Sequence, residues 1–367
     1  MAVLIHGGDI YSPREKIRGE ILDFSANINP LGLPPGVQRA IADTIPLCVN
    51  YPDPLCRALT AAISVSEAVE KEWILCGNGA ADLIFRLVWA KKPKKAILPA
   101  PTFAEYELAL KSVDCDIRYY ALDKEKGFAL GEAFLHCIRE DVDILFLCNP
   151  NNPTGKLIPR ALLKKILIKC REQKVLLVMD ECFIDFLWTP SAYTMVGEIS
   201  QYKELFVLKA FTKNYAMPGI RLGYGLCSDS LLLDKMAEQG QPWSVSLLAQ
   251  AAGVAALKEE GYLEKMRTLV NEEKKYLQKA LAALGIKAYP PAANYIFLYF
   301  SEVVDSRSNE AFQEALLQKG ILIRDCSNYK GLSYGYYRVA IKDRAANEKL
   351  IGAFQTMKED ETWLRQS

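Results

Sequence analysis

The sequence predicts an α/β protein: a large domain built on a mainly parallel sheet, with a smaller α+β domain attached. Three observations predict it. Through the middle of the chain, short and wholly apolar runs alternate with amphipathic helical stretches, as in a parallel sheet covered on both faces. Several of those runs end directly in clusters of Asn, Asp, Lys and Arg. After about Leu248 the texture changes to a long charged helical stretch, followed by strands and helices packed to one side.

The elements follow in order. Cys76-Gly77-Asn78-Gly79 opens a helix over Ala80 to Lys91 (AADLIFRLVWAK), and the exposed amides of such a helix start favour an anion. The clearest strands are Ala96 to Ala100 (AILPA), Ile144 to Cys148 (ILFLC), Val175 to Met179 (VLLVM) and Leu205 to Leu208. A helix over Arg160 to Gln173 is expected, with Pro159 suited to its first turn. The charged stretch from Ala256 to Leu284 reads as one long helix that hinges the two domains. Beyond it come a strand at Ala293 to Leu298, a helix at Asn309 to Lys319, strands at Gly320 to Arg324 and Tyr336 to Ile341, and a closing helix near Ala345 to Met357. The expected organisation is an arm over residues 1–45 that joins the small domain, a large domain over 46–255 and the small domain over 256–367.

Composition narrows the function. At 367 residues the chain has room for two domains. Its formal net charge of +1 offers no basic surface for nucleic acid or membranes. No segment approaches the roughly 20 apolar residues of a membrane span, and no basic region precedes the short apolar run in MAVLIHGGDIYSPREK, which argues against a signal peptide. Ten scattered cysteines with no CxxC pair, and only two histidines, disfavour zinc or a disulfide framework. Reduced, mostly buried thiols in a cytoplasmic protein is the expectation.

One lysine is harder to place. Leu205 to Leu208 reads as a buried strand, and Phe211-Thr212-Lys213 follows it closely, with Pro218, Gly219 and Arg221 just beyond. Lys213 is therefore expected in a turn at the mouth of the sheet. Asn149-Pro150-Asn151-Asn152-Pro153-Thr154-Gly155 and Asp180-Glu181 stand directly after two other strands, so all three would face one crevice at the carboxyl ends. A lysine against apolar surface has a lowered pKa and becomes a nucleophilic amine able to form a Schiff base. A carboxylate at a strand end suits the ring-nitrogen proton of a pyridinium. Arg221, the amides near Gly79 and the Thr212 hydroxyl suit a phosphate, an asparagine suits a phenolic oxygen, and Phe103 suits the face of a ring. These are the parts that pyridoxal phosphate requires. Taken singly, each has a structural explanation: a surface lysine, a turn, a helix cap, an ion-pair partner. Their order and joint placement carry the cofactor reading.

These residues resemble the fold-type-I pyridoxal-phosphate enzymes of the aspartate aminotransferase superfamily, in the branch that holds the histidinol-phosphate aminotransferases. NPNNPTG (149–155), MDECFIDF (179–186), FTKNYAMPGIRLGY (211–224), ANYIF (293–297) and the arginines of ILIRDC and YYRVAI carry the resemblance, which runs from about residue 22 to the C-terminal helix. It implies a seven-stranded, aspartate-aminotransferase-like large domain. HGG (6–8), LDFSANINPLG (22–32), NYPDP (50–54), PTFAEYELAL (101–110) and PWSVSLLAQ (242–250) are similar, more narrowly, to the threonine-phosphate decarboxylase branch. That narrower resemblance implies conversion of L-threonine O-3-phosphate to (R)-1-amino-2-propanol O-2-phosphate and CO2, within cobalamin biosynthesis. The alternatives are histidinol-phosphate amino transfer, decarboxylation of L-serine O-phosphate, or an inert relative that only binds.

The resemblance also implies roles. Lys213 would hold the cofactor covalently, Asp180 would pair with its ring nitrogen, Asn152 would reach its O3′ and the substrate, and Phe103 would stack on the ring. Gly79, Ala80, Thr212 and Arg221 would bind its phosphate, joined by Tyr51 from the second subunit of a homodimer. His6, Gly8, Asn29, Arg324 and Arg338 would bind a small phosphorylated amino acid, the arginines through planar forks that suit phosphate or carboxylate. Two positions depart from the usual pattern. Phe183 stands where most aminotransferases place a tyrosine on O3′, and Ala210 stands where a serine or threonine usually meets the phosphate. The first favours the decarboxylase branch; the second leaves one phosphate contact missing, or supplied by water or another residue.

Overall fold

The computed structural model describes residues 7–17 and 19–359. Its organising element is a sheet whose three central strands, Ile144–Cys148, Leu176–Asp180 and Leu205–Ala210, are buried at every residue. Such runs survive only where both faces of a sheet are covered. Side chains alternate between those faces. Leu145, Leu147, Leu177, Met179, Leu205 and Val207 enter one core, whereas Ile144, Phe146, Leu176, Val178, Phe206 and Leu208 enter another. Helices Arg160–Gln173 and Leu247–Ala256 cover the first face; Ala80–Lys91, Ala104–Lys111 and Ser230–Glu238 cover the second.

The sheet has seven strands in the order Ile74–Gly77, Gly223–Leu226, Leu205–Ala210, Leu176–Asp180, Ile144–Cys148, Lys95–Ala100, Asp116–Ala121. All neighbours pair in parallel except Gly223–Leu226, which runs against both of its partners. Its start therefore lies beside the ends of the others: Gly223 is opposite both Gly77 and Ala210, and Cys148 is opposite Asp180. One edge of the sheet thus gathers the last residues of most strands and the first residue of the reversed one.

A third core belongs mostly to the C-terminal part of the chain. A four-stranded antiparallel sheet, ordered Arg324–Asp325, Tyr336–Ala340, Tyr295–Tyr299, Lys287–Tyr289, packs on helices Tyr262–Ala283, Ser306–Gln318 and Arg344–Glu359. Asp305 opens the second of these helices with a reciprocal capping box to Ser308. The early segment Leu22–Asp23 joins this region by parallel pairing with Ile321–Leu322, and Phe24 enters its core. Among the described residues, no helix is long and apolar enough to cross a membrane.

Four details differ from the sequence expectations. The charged helix begins at Tyr262 rather than Ala256, because residues 257–261 break the chain at Gly261, whose φ is +69°. The strand expected over 320–324 is two short pieces that pair in different sheets. The edge strand Asp116–Ala121 has no apolar run to announce it, since several of its side chains are exposed. Lys213 sits not in an open turn but on a single helical turn, Phe211–Asn214.

A buried ion pair anchors the strand that leads to this turn. Lys209 Nζ lies 2.7 and 2.9 Å from the two carboxylate oxygens of Glu67, which also accepts from the Tyr224 hydroxyl at 2.5 Å. Glu67→Ala leaves the Lys209 ammonium buried and unpaired and is expected to destabilise the fold by about 3–5 kcal/mol; adding Lys209→Met should recover most of that loss. Chemical denaturation of the three proteins measures both effects.

Candidate active site

At the gathered sheet edge lies a cavity of about 310 Å3, lined by Asn152, Asp180, Lys213, Arg221, Arg324 and Arg338 among others. It stands at the carboxyl ends of the parallel strands, where open α/β sheets place ligands. Four of its lining groups are cations.

Lys213 reaches it because the strand ends at Ala210 and turns at once into one turn of helix. That turn is fastened from the N-terminal segment. The Asn29 amide N–H donates to the Lys213 carbonyl at 3.0 Å, and the Asn29 side-chain amide donates to the Asn214 carbonyl at 2.7 Å and to the Tyr262 hydroxyl at 3.0 Å. Burial, and then the neighbouring positive charge of Arg338 and Arg221, lowers the Lys213 amine to about 8. At pH 7 roughly a tenth of such a lysine is the neutral, nucleophilic amine, against well under roughly a thousandth of an ordinary one.

Asp180 is the last residue of its strand and is buried. Burial raises its pKa, and hydrogen bonds oppose the rise: from the Cys182 thiol, from the Tyr106 hydroxyl, 2.5 Å from Oδ2, and from the Cys182 amide, 2.9 Å from Oδ1. Phe103, the residue before helix Ala104–Lys111, lines the cavity and meets the edge of Tyr106 at 5.6 Å. Phe183 also lines it, packed edge-on against Tyr295 at 5.1 Å, and contributes no hydroxyl.

The anion end is built from backbone. Gly79, at φ +86°, precedes helix Ala80–Lys91, and Ala80, Ala81, Ala210, Thr212 and Arg221 line the cavity there. A Cβ on Gly79 would lie 2.5 Å from an Arg221 guanidinium nitrogen, and one on Gly223 would lie 2.7 Å from the Ala80 amide nitrogen. Only glycine leaves this cradle open. Ala210 offers it a methyl group and no donor.

The opposite end is held by two arginines. Arg338 donates to Asn152 Oδ1 and, at 2.7 Å, to the Ser25 carbonyl, while its buried Nε has no hydrogen-bond partner. Arg324 donates to the Asp325 carbonyl and to Asn328 Oδ1, with its guanidinium 5.2 Å from the Tyr329 ring centre.

The structure thus brings together Ala80, Phe103, Asn152, Asp180, Thr212, Lys213, Arg221, Arg324 and Arg338, with Gly79 shaping the wall behind Arg221. It does not bring Asn29 to the cavity, because that side chain is bonded beneath the lysine turn. Asn27, two residues earlier, lines the cavity instead, and its buried Oδ1 has no partner. Gly7 lines it, whereas Gly8 is exposed and donates its amide to Ser25 Oγ at 2.7 Å. Tyr51 lies away from this chain's cavity, 78% exposed, with its ring 4.6 Å from that of Trp243. His6 is outside the described residues. Ser25, Asn27, Tyr106 and Cys182 carried no signal of their own in the sequence reading, although DFSANINPLG and PTFAEYELAL contain three of them.

The residues present fit pyridoxal phosphate: a desolvated amine, a buried carboxylate held by neutral donors, an aromatic wall, and an open glycine cradle with a guanidinium for phosphate. Among the described residues, no group of three or more His, Cys, Asp or Glu side chains could hold a metal ion.

Two outcomes follow from this geometry. In cofactor-free protein, the reactivity of Lys213 toward an amine-modifying reagent should rise with pH and reach half its maximum near 8. Arg338→Ala should move that midpoint upward, since losing a neighbouring cation favours the charged amine. Gly79→Ala should raise the cofactor dissociation constant by about tenfold or more, through the strained φ and the collision with Arg221; equilibrium dialysis measures it.

Comparison with known proteins agrees with this geometry. Residues 19–354 match the family model of class I and II aminotransferases. A threonine-phosphate decarboxylase of Salmonella typhimurium is 39% identical over 96% of this chain and 96% of its own. A histidinol-phosphate aminotransferase of Methanococcus aeolicus is 31% identical over 88% of this chain and 86% of its own. The crystal structure of the histidinol-phosphate aminotransferase from Clostridium acetobutylicum superimposes with a TM-score of 0.86 at 31% identity, covering 92% of this chain and 99% of that one. The chain belongs to the class I and II aminotransferases, a family of enzymes that work with pyridoxal phosphate.

Proposed function

We propose that this enzyme decarboxylates L-threonine O-3-phosphate to (R)-1-amino-2-propanol O-2-phosphate and CO2, as a step of cobalamin biosynthesis. The observation that carries the proposal is the lining of the cavity by Ser25, Ala26 and Asn27. These residues belong to DFSANINPLG, the segment that resembles the decarboxylase branch, and they share the chamber with Lys213, Arg324 and Arg338. Phe183, without a hydroxyl, supports the same reading.

When bound, pyridoxal phosphate supplies an electron sink for the charge left at the substrate's α-carbon. The chain's own residues do the rest. Lys213 would hold the cofactor through its side-chain nitrogen, and its free amine would return a proton to the substrate's α-carbon. Asp180, ionised, holds the proton on the ring nitrogen. Gly79, Ala80, Thr212 and Arg221 take the cofactor's phosphate, and Asn152 its O3′. Arg324 and Arg338, with Asn27, take the substrate's anionic groups, and so decide which bond to the α-carbon is aligned for cleavage. Alignment of the carboxylate gives CO2; alignment of the hydrogen gives amino transfer. Orientation that is favourable only in the transition state is where the arginines act on rate.

The proposal includes a cytoplasmic homodimer in which Tyr51 of each subunit reaches the partner's cofactor phosphate. Ile45, Leu47, Val49, Tyr51 and Leu55 expose apolar surface along one stretch of this chain, which supports a covered face there.

Purified, cofactor-loaded protein given L-threonine O-3-phosphate and no keto acid should release CO2 and aminopropanol phosphate in equal amounts. Lys213→Ala should lower that rate by about a thousandfold or more. L-serine O-phosphate lacks one methyl, worth about 1–3 kcal/mol in a pocket, so it should turn over about 10–200-fold less efficiently. Absence of CO2, with amino transfer from glutamate to imidazole acetol phosphate, would replace this reading with the histidinol-phosphate one.

A further inference from the structure

Tyr106 is fully buried and yet carries a hydroxyl, a group that is costly to bury unless it is bonded. Its ring is locked by two neighbours: it stacks on Phe146 at 4.9 Å and 17°, and it meets the edge of Phe103 at 5.6 Å and 81°. Its hydroxyl donates to Asp180 Oδ2 at 2.5 Å and also lies within hydrogen-bonding reach of the Cys148 thiol. A hydroxyl that donates to a carboxylate favours the charged form of that group. The other carboxylate oxygen accepts from the Cys182 amide, so donors from two separate segments hold both oxygens and block rotation of the group.

Among the described residues, the other donor to Asp180 is Cys182, through its thiol and its amide. Cys148 from the neighbouring strand, Cys182 from the following turn and Tyr295 from the small sheet are all pushed up by burial and stay neutral. Lys213 and Arg338 line the same cavity but neither forms an ion pair with Asp180 among the described residues. A carboxylate buried among neutral groups picks up a proton unless hydrogen bonds to its charged form prevent it.

We propose that Tyr106 is a positioning residue that keeps the Asp180 carboxylate ionised and fixed in rotation, acting through Asp180 and touching neither cofactor nor substrate. The proposal rests on Asp180 as the partner of the ring-nitrogen proton. If Tyr106 stabilises the ionised carboxylate, the proton between the two groups stays on the ring nitrogen; without the hydroxyl it moves toward Asp180.

The test is the 15N chemical shift of a ring-labelled cofactor in the loaded enzyme, compared among wild type, Tyr106→Phe, Asp180→Asn and protein carrying 3-fluorotyrosine at position 106. Tyr106→Phe is expected to move the ratio of protonated to unprotonated nitrogen about tenfold or more toward the unprotonated form, from the usual strength of a hydrogen bond to a charged group. Fluorotyrosine keeps the packing but donates more strongly, and should move the ratio the other way; it also decides the matter if Tyr106→Phe does not fold. Asp180→Asn should leave the nitrogen unprotonated. Unmoved shifts in both Tyr106 proteins, with Asp180→Asn altered, overturn the role of Tyr106 alone. A protonated nitrogen in Asp180→Asn overturns the role of Asp180 and this one with it.

Discussion

The cavity depends on taking an amine out of water without giving it a counter-charge. Two lysines, four residues apart, show what that constraint means. Lys209, still on the strand, is buried against Glu67; burial alone would lower its pKa, but the carboxylates around it raise it, and it stays an ammonium. Lys213, one turn beyond the strand, is desolvated beside two guanidinium groups and no paired carboxylate, and its pKa falls. The first lysine holds the structure and the second is available for chemistry. The difference is made by which face each enters: Lys209 follows Leu205 and Val207 toward the helix that carries Glu67, whereas the helical turn at Phe211 swings Lys213 over the sheet edge.

Asp180 is the complementary case. It too is buried without a cation, and there the sheet supplies neutral donors in place of a charge. The cavity therefore sets an amine among cations, which lower its pKa, and a carboxyl among neutral donors, which oppose the rise that burial causes. Groups tuned apart by their surroundings in this way mark acid–base sites generally.

Much of this was legible in the sequence, and the rest was hidden for identifiable reasons. The central strands announce themselves because burial on both faces demands unbroken apolar runs, and Asp180, Lys213 and Asn152 are found by following those runs to their ends. The edge strand Asp116–Ala121 is not announced, because an edge needs no such run. Asn27 and Asn29 sit in the same short motif, and nothing local says which faces the cavity. That is settled by the bond from the Asn29 amide to the Lys213 carbonyl, between residues 184 positions apart, which fixes the phase of the whole segment. Tyr106 stands in the sequence only as one aromatic of PTFAEYELAL, and its ring is buried as an apolar group; only the tip meets Asp180. Residues 320–324 look like a single strand because a sequence shows the alternation but not the two partners that divide it.

The N-terminal segment has a consequence for how the enzyme comes into being. Residues 22–29 pair with Ile321–Leu322, accept a bond from Arg338 at Ser25, accept another from Asn294 at Asn27, and brace the lysine turn through Asn29. Contacts spanning some 300 residues form late, because so long a loop must close before they reward the chain. On the ribosome, the large sheet has all its strands once Leu226 has emerged, yet the segment that completes the substrate end lacks its full set of partners until Asn294, Ile321–Leu322 and Arg338 are made. Synthesis therefore yields a scaffold first and a reaction chamber last, and a chain truncated before its final hundred residues keeps its lysine and its aspartate but has nothing to close over them.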